Sequence, residues 1–96
     1  MILRFRRLRE NAELPKRATP FSAGADLSAC LEKPRQIMPH QIEIIPTGLS
    51  VTPSGKNVAL LIYARSGLAC KHGIALANGV GVVDADYRGE ICVARI

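Results

Sequence analysis

Aromatic rings and long apolar runs are what this sequence has least of: two tyrosines, two phenylalanines and no tryptophan stand among 96 residues. Single-stranded nucleic acid is held largely by stacking on such rings, so the formal charge of +5 does not by itself imply a nucleic-acid partner. The surplus is also local. Residues 1–17 carry six Lys/Arg against two Asp/Glu, which leaves the remaining chain almost balanced. Arg4 and Arg6 alternate with Leu3 and Phe5, so their charge lines one solvated face of a terminal strand. No apolar run approaches the roughly 20 residues that span a bilayer. The N-terminal Met1 to Arg9 has no continuous apolar stretch behind its charges. The expectation is a soluble, cytoplasmic chain without signal peptide or membrane partner. Cys30, Cys70 and Cys92 are odd in number, far apart and lack short metal-ligand spacing. That pattern suits reduced, buried thiols better than a disulfide framework or a zinc site.

What is present is apolar residue in short pieces, 48% of the chain, enough for one folded domain over residues 1–96. Leu3/Phe5 and Gln41 to Ile44 alternate as half-buried strands do, and Asn57 to Tyr63 reads as a continuous buried strand. Pro15, Pro20, Pro34, Pro39, Pro46 and Pro53, with Gly24, Gly48 and Gly55, punctuate them. Short strands at this spacing predict an all-β sandwich or barrel. One helical turn is predicted from Ser66 to Cys70, bounded by Gly73. Glu90 to Ile96 reads as an apolar strand with no partner to follow it.

Three segments carry chemistry. In the first, Ile74 to Ala77 and Val80 to Val83 flank Asn78-Gly79, the dipeptide that best supplies two positive φ angles to a two-residue hairpin turn. Small residues at Ala75, Ala77, Gly79 and Gly81 leave room for a flat ligand against the backbone, and Asp84, Tyr87 and Arg88 set an acid, a ring and a base at its mouth. In the second, Arg65-Ser66-Gly67 places a guanidinium, a hydroxyl and a glycine N–H where a strand opens into a helical turn, a group suited to phosphate oxygens. In the third, Asp26 follows a small-residue turn and suits a hydrated Mg²⁺, which is often held through one carboxylate plus substrate phosphates. Each has an ordinary structural reading as well: a thin hairpin with a solvated turn, a serine cap beside a solvated arginine, a turn aspartate.

Together, and in order, Ala23-Gly24-Ala25-Asp26-Leu27, then Ala64 to Ala69 with Lys71 to Ile74, then Asn78 with Gly81 to Glu90 resemble three of the five motifs of the trimeric dUTP diphosphatase (dUTPase) family. Ala25 departs from the family pattern, where an aromatic residue is common. The resemblance implies a distorted jelly-roll, a homotrimer and a hydrolase that converts dUTP to dUMP and pyrophosphate with Mg²⁺, lowering dUTP and supplying dUMP for thymidylate synthesis. By matching position, Asp84 would orient and deprotonate the attacking water; a free aspartate titrates near ~3.9, so placement must do most of that work. Tyr87 would press on the deoxyribose where a 2′-hydroxyl would clash. Asn78 and the backbone at Val82, Val83 and Cys92 would read uracil. Arg65, Ser66 and Gly67 would hold the phosphate chain, and Asp26 would reach Mg²⁺ through water. Asp86, Arg88 and Glu90 are expected to fix the loop by ion pairs, with His40 and His72 on the surface.

The family's fourth and fifth motifs, a Gly-Asp-Arg turn and a Gly-rich arm with an aromatic ring, would lie beyond Ile96. The expectation is therefore a domain incomplete at the C-terminus, holding the N-terminal two thirds of the family domain. Two rivals follow: a dCTP deaminase, which shares the Arg-Ser segment, and a non-catalytic nucleotide-binding remnant. The Asp84/Tyr87 spacing and Asn78 favour the dUTPase over the deaminase.

Overall fold

In a computed structural model describing residues 1–96, six strands and one helix follow in the order β1 (Leu3–Arg7), β2 (Glu43–Pro46), β3 (Leu49–Pro53), β4 (Ala59–Ile62), α1 (Ser66–His72), β5 (Gly81–Asp84) and β6 (Cys92–Arg95). They form three antiparallel ribbons, β1–β3, β2–β6 and β4–β5. In the first ribbon Phe5 lies opposite Val51 and Arg7 opposite Leu49, so Phe5 turns inward while Arg4 and Arg6 stay exposed. No helix is long and apolar enough to cross a membrane.

Strand β3 stands where the sequence reads as breakers. Pro46 and Pro53 end strands instead of interrupting them, and Gly48 makes the corner between β2 and β3 at φ 71°. No other residue fits there: a Cβ on Gly48 would lie 2.8 Å from the Ala12 Cβ and 2.9 Å from the Cys30 sulfur. Beside it Thr47 is buried, its hydroxyl donating to the Ile91 carbonyl at 2.6 Å and its N–H reaching the same oxygen at 3.1 Å. The Ile91 N–H returns to the Leu49 carbonyl at 2.8 Å. This clasp fixes the start of β6 to the corner.

The two apolar runs about Asn78-Gly79 do not pair with each other as a hairpin. Val83 lies opposite Leu60 and Gly81 opposite Ile62, so β5 takes β4 as its partner. Ala75 and Ala77 bond instead to Ile96 and Ala94. The physical reason is bulk: alanines and glycines offer each other little area to bury, whereas Val83 meets Leu60 and Ile62. Asn78-Gly79 still turns, but with one positive φ, at Gly79 (75°), and a Gly79 N–H to Leu76 carbonyl bond of 3.1 Å. The last strand is likewise not orphaned: β6 pairs with β2 on one side and meets Leu76 at Arg95 on the other. Asn57 to Tyr63 is shorter and wetter than its composition suggests, since only Leu60 and Ile62 of β4 turn inward.

The core is thin. Ala12, Cys30 and Leu49 form one cluster, Val51, Val83 and Ile91 another, and Phe5 and Leu27 pack against both. Only 10 of 96 residues are buried, and 34 backbone hydrogen bonds join the chain, roughly half of what a domain this size usually makes. Strand edges are therefore open, and large apolar side chains such as Tyr63, Val82 and Phe21 lie exposed.

Candidate functional site

Strand β5 aims its residues alternately. Val83 enters the core beside Val51 and Ile91, Val82 faces outward, and Asp84 ends the strand exposed. A turn follows, closed by the Tyr87 N–H on the Asp84 carbonyl at 3.1 Å. The Tyr87 hydroxyl then donates to the Glu90 carbonyl at 2.7 Å, which lays the ring along its own loop. Gly89 makes that possible, because a Cβ there would stand 2.6 Å from the tyrosine oxygen. Val82, Val83, Asp84, Tyr87, Glu90, Ile91 and Cys92 face one cleft of about 240 Å³. That is near the lower end for small-molecule sites, roughly 300–1,000 Å³, and suits a base and part of a sugar.

Charge in this loop is arranged differently from the sequence expectation. Glu90 alone of the three charged residues forms an ion pair, and its partner is Arg9, 81 positions away. Arg88 donates to the carbonyls of Ala85 at 2.7 Å and Tyr87 at 3.2 Å, and Asp86 makes no ion pair. The Arg9 hydrogen bond holds the Glu90 carboxyl below its ordinary range, with the Gly48 N–H adding to it against partial desolvation. The same pairing raises Arg9, with Cys30 contributing. Partial burial pushes the Cys92 thiol up, helped by the Glu90 charge. Arg9 and Gly48 escaped the sequence reading because no local pattern links positions so far apart.

A second group gathers elsewhere. Asp26 is pinned by backbone bonds with Lys16, 2.8 Å from its N–H and 3.3 Å to its carbonyl. Its Oδ2 accepts from Arg65 Nη1 at 3.0 Å. Arg65, not Ser66, is the N-cap of α1, and no side chain caps the helix; Ser66 stands one position inside and its hydroxyl has no partner within the chain. Gly67 is exposed with open space around it. Gly73, at φ 66°, ends the helix by donating to the Ala69 carbonyl. Asp26, Arg65, Ser66 and Tyr63 face a groove of about 680 Å³.

Cleft and groove share no lining residue. The structure thus brings Val82, Val83, Asp84, Tyr87 and Cys92 together, and separately Asp26, Arg65 and Ser66; Asn78 sits exposed in its turn and lines neither. Chemically, the cleft offers a carboxylate beside a fixed ring. The groove offers one cation, one hydroxyl and one carboxylate.

Comparison with known proteins bears on the family and the fold. The dUTPase family model matches residues 10–95. The deoxyuridine 5'-triphosphate nucleotidohydrolase of Desulfitobacterium hafniense (strain DSM 10664 / DCB-2) is 56% identical over 84 residues, covering 88% of this chain and 56% of that protein. Among solved structures, the dUTPase from phage phi11 of S. aureus superposes with a TM-score of 0.83 at 28% identity, covering 99% of this chain and 58% of that one. The Staphylococcus bacteriophage 80alpha dUTPase, solved with dUpNHpp, gives 0.82 at 26% identity over 98% of this chain and 53% of its own. The chain thus spans little more than half the length of the relatives it matches. Its all-β architecture is the dUTPase fold, and the chain belongs to the dUTPase family.

Proposed function

We propose that this chain forms part of an enzyme that hydrolyses dUTP to dUMP and pyrophosphate. The observation that carries the reading is the Tyr87 ring, fixed by its hydroxyl bond over the cleft that Asp84 also lines. A deoxyribose packed against that ring leaves no room for a 2′-hydroxyl, and Asp84 beyond it accepts the proton of an attacking water. Uracil is read by the backbone of Val82, Val83 and Cys92, with Asn78 closing from its turn. Arg65 and Ser66, with the Gly67 N–H, grip the phosphates, and alignment of water and phosphate supplies the larger share of rate.

Two separate clefts support a site shared between copies. One molecule's Asp84 and Tyr87 cleft would meet the Asp26 and Arg65 groove of a neighbour, as in a homotrimer. Mg²⁺ fits the donor set in one way only. Nowhere do three His, Cys, Asp or Glu side chains gather, and Asp26 offers one half-exposed carboxylate already touched by Arg65. Such a donor suits an ion that keeps its waters and takes inner ligands from substrate phosphates. When bound, Mg²⁺ would neutralise charge on the phosphoryl oxygens.

The test is product analysis with dUTP, UTP and dCTP in Mg²⁺. Pyrophosphate released from dUTP alone, and lost in Asp84→Asn, is the expected outcome. Ammonia from dCTP would replace the reading with a deaminase. Binding of dUTP without hydrolysis, indifferent to Asp84→Asn, would replace it with a non-catalytic binder.

A further inference from the structure

Glu90 is used at both ends. Its carboxylate receives both arms of the Arg9 guanidinium, Nη1 to Oε1 at 3.4 Å and Nη2 to Oε2, and Oε2 also takes the Gly48 N–H at 2.9 Å. Its carbonyl takes the Tyr87 hydroxyl at 2.7 Å. Gly48 sits close against Ala12 and Cys30, with no room for a side chain, and Leu49 beside it is fully buried. A chain of contacts therefore runs from the core corner and the N-terminal loop, through one glutamate, to the ring over the cleft.

Stability is a poor explanation for that pair. Side chains of Arg9 and Glu90 remain 40% and 25% exposed, and ion pairs in such settings contribute little to folding. Geometry is the better one. The loop from Ala85 to Gly89 has few other constraints: Arg88 bonds only to its own loop, and Tyr87 is itself exposed. Without an anchored Glu90 carbonyl, the hydroxyl bond would have nothing fixed to hold. Gly89, by lacking a Cβ, keeps the ring against the backbone.

We infer that Arg9 and Glu90 are positioning residues for deoxyribose selection: Arg9 anchors Glu90, and Glu90 holds Tyr87 where a 2′-hydroxyl would collide. The inference rests on the proposed function, because it specifies how that site distinguishes its sugar. Arg9 lies outside the three motif segments and does not line the cleft; its side-chain hydrogen bonds to the cleft go to Glu90.

The experiment measures dissociation constants for dUMP and UMP by calorimetry on the chain and on Arg9→Met, Arg9→Lys, Tyr87→Phe and the double variant Arg9→Met/Tyr87→Phe. The parent chain should prefer dUMP. Arg9→Met should shrink that preference about 3- to 10-fold, the net worth of one hydrogen bond, mostly by improving UMP binding. Arg9→Lys should recover part of it. Tyr87→Phe, which keeps the ring and loses its anchor, should match Arg9→Met. The double variant should lose no more than either single one, as two steps on one line of force must. Undiminished preference in Arg9→Met, or additive losses in the double variant, would overturn the inference while leaving the proposed function intact. A parent chain that binds neither nucleotide would overturn both. Should Arg9→Met lose its cooperative melt, Gly89→Ala carries the test, since it spares the ion pair and displaces the ring; unchanged preference there overturns the inference equally.

Discussion

The two halves of the candidate site are built to different tolerances. Around Asp84 and Tyr87, the loop is tied to the core at its two ends: Val83 packs with Ile91, the Thr47 clasp holds Ile91, and Glu90 is anchored by Arg9 and Gly48. Around Asp26 and Arg65, two exposed side chains meet in a single ion pair, and α1 buries no residue at all. Shape discrimination needs a wall that does not yield, because a methyl or hydroxyl is rejected only if the groups it strikes stay put. Phosphate binding needs charge within reach, and a flexible arginine delivers it to a ligand that brings its own metal and its own geometry. Under the proposed function, the rigid half would select and the loose half would hold.

Substitutions can break or sharpen that contrast. The largest effect belongs to Asp84→Asn, expected to lower dUTP hydrolysis about 10²- to 10⁴-fold, the usual share of a general base, with dUMP affinity kept. Equal loss of dUMP affinity would mean that Asp84 shapes the cleft and does not act as base. Next comes Leu49→Ala at the buried corner, expected to destabilise by about 2–5 kcal/mol in a denaturant titration, because the cavity forms inside the Ala12 and Cys30 cluster. A cost below 1 kcal/mol would show that the selective half is softer than its packing implies. Arg65→Met should weaken dUTP by about tenfold or more, as loss of a charge-assisted bond does, while dUMP binding and the melt hardly change. A large shift in melting temperature would instead make the Asp26 pair a structural one.

The smallest effect is the pH response of the Glu90 anchor. Its folded carboxyl is depressed, so its contribution is complete above the ordinary value of 4.5 and is lost as pH falls through the lower folded value. Melting temperature should accordingly be flat from neutrality to about pH 5 and decline below that, and Glu90→Gln should remove part of the decline. The difference between the parent and Glu90→Gln in that acid range is the part of the decline that belongs to Glu90.

Local signals were legible and distant ones were not. Alternation at Leu3 to Arg6 and the Gly73 stop located β1 and α1 because period and punctuation act within a few residues. The family resemblance was legible for the same reason, since each motif is a short run of neighbouring residues. Which strand β5 would choose was not: Asn78-Gly79 announces a turn, yet pairing is decided by the bulk of Leu60 and Ile62, some twenty residues upstream. Nor could the sequence show that Arg9 reaches Glu90, or that Asp26 and Arg65 line a different cavity from Asp84, since both are facts of how distant segments close on each other.

Phe5 touches both core clusters, and so does Leu27. Neither cluster can open without exposing these shared side chains, so the amides of β3 and of the Ile91 clasp belong to one cooperative unit that exchanges with solvent only when the whole unit opens. The amides of α1, which contributes nothing to either cluster, can exchange by a separate and easier opening. Nucleotide bound in the cleft would thus slow exchange as far away as the first strand, along a route that runs through Phe5.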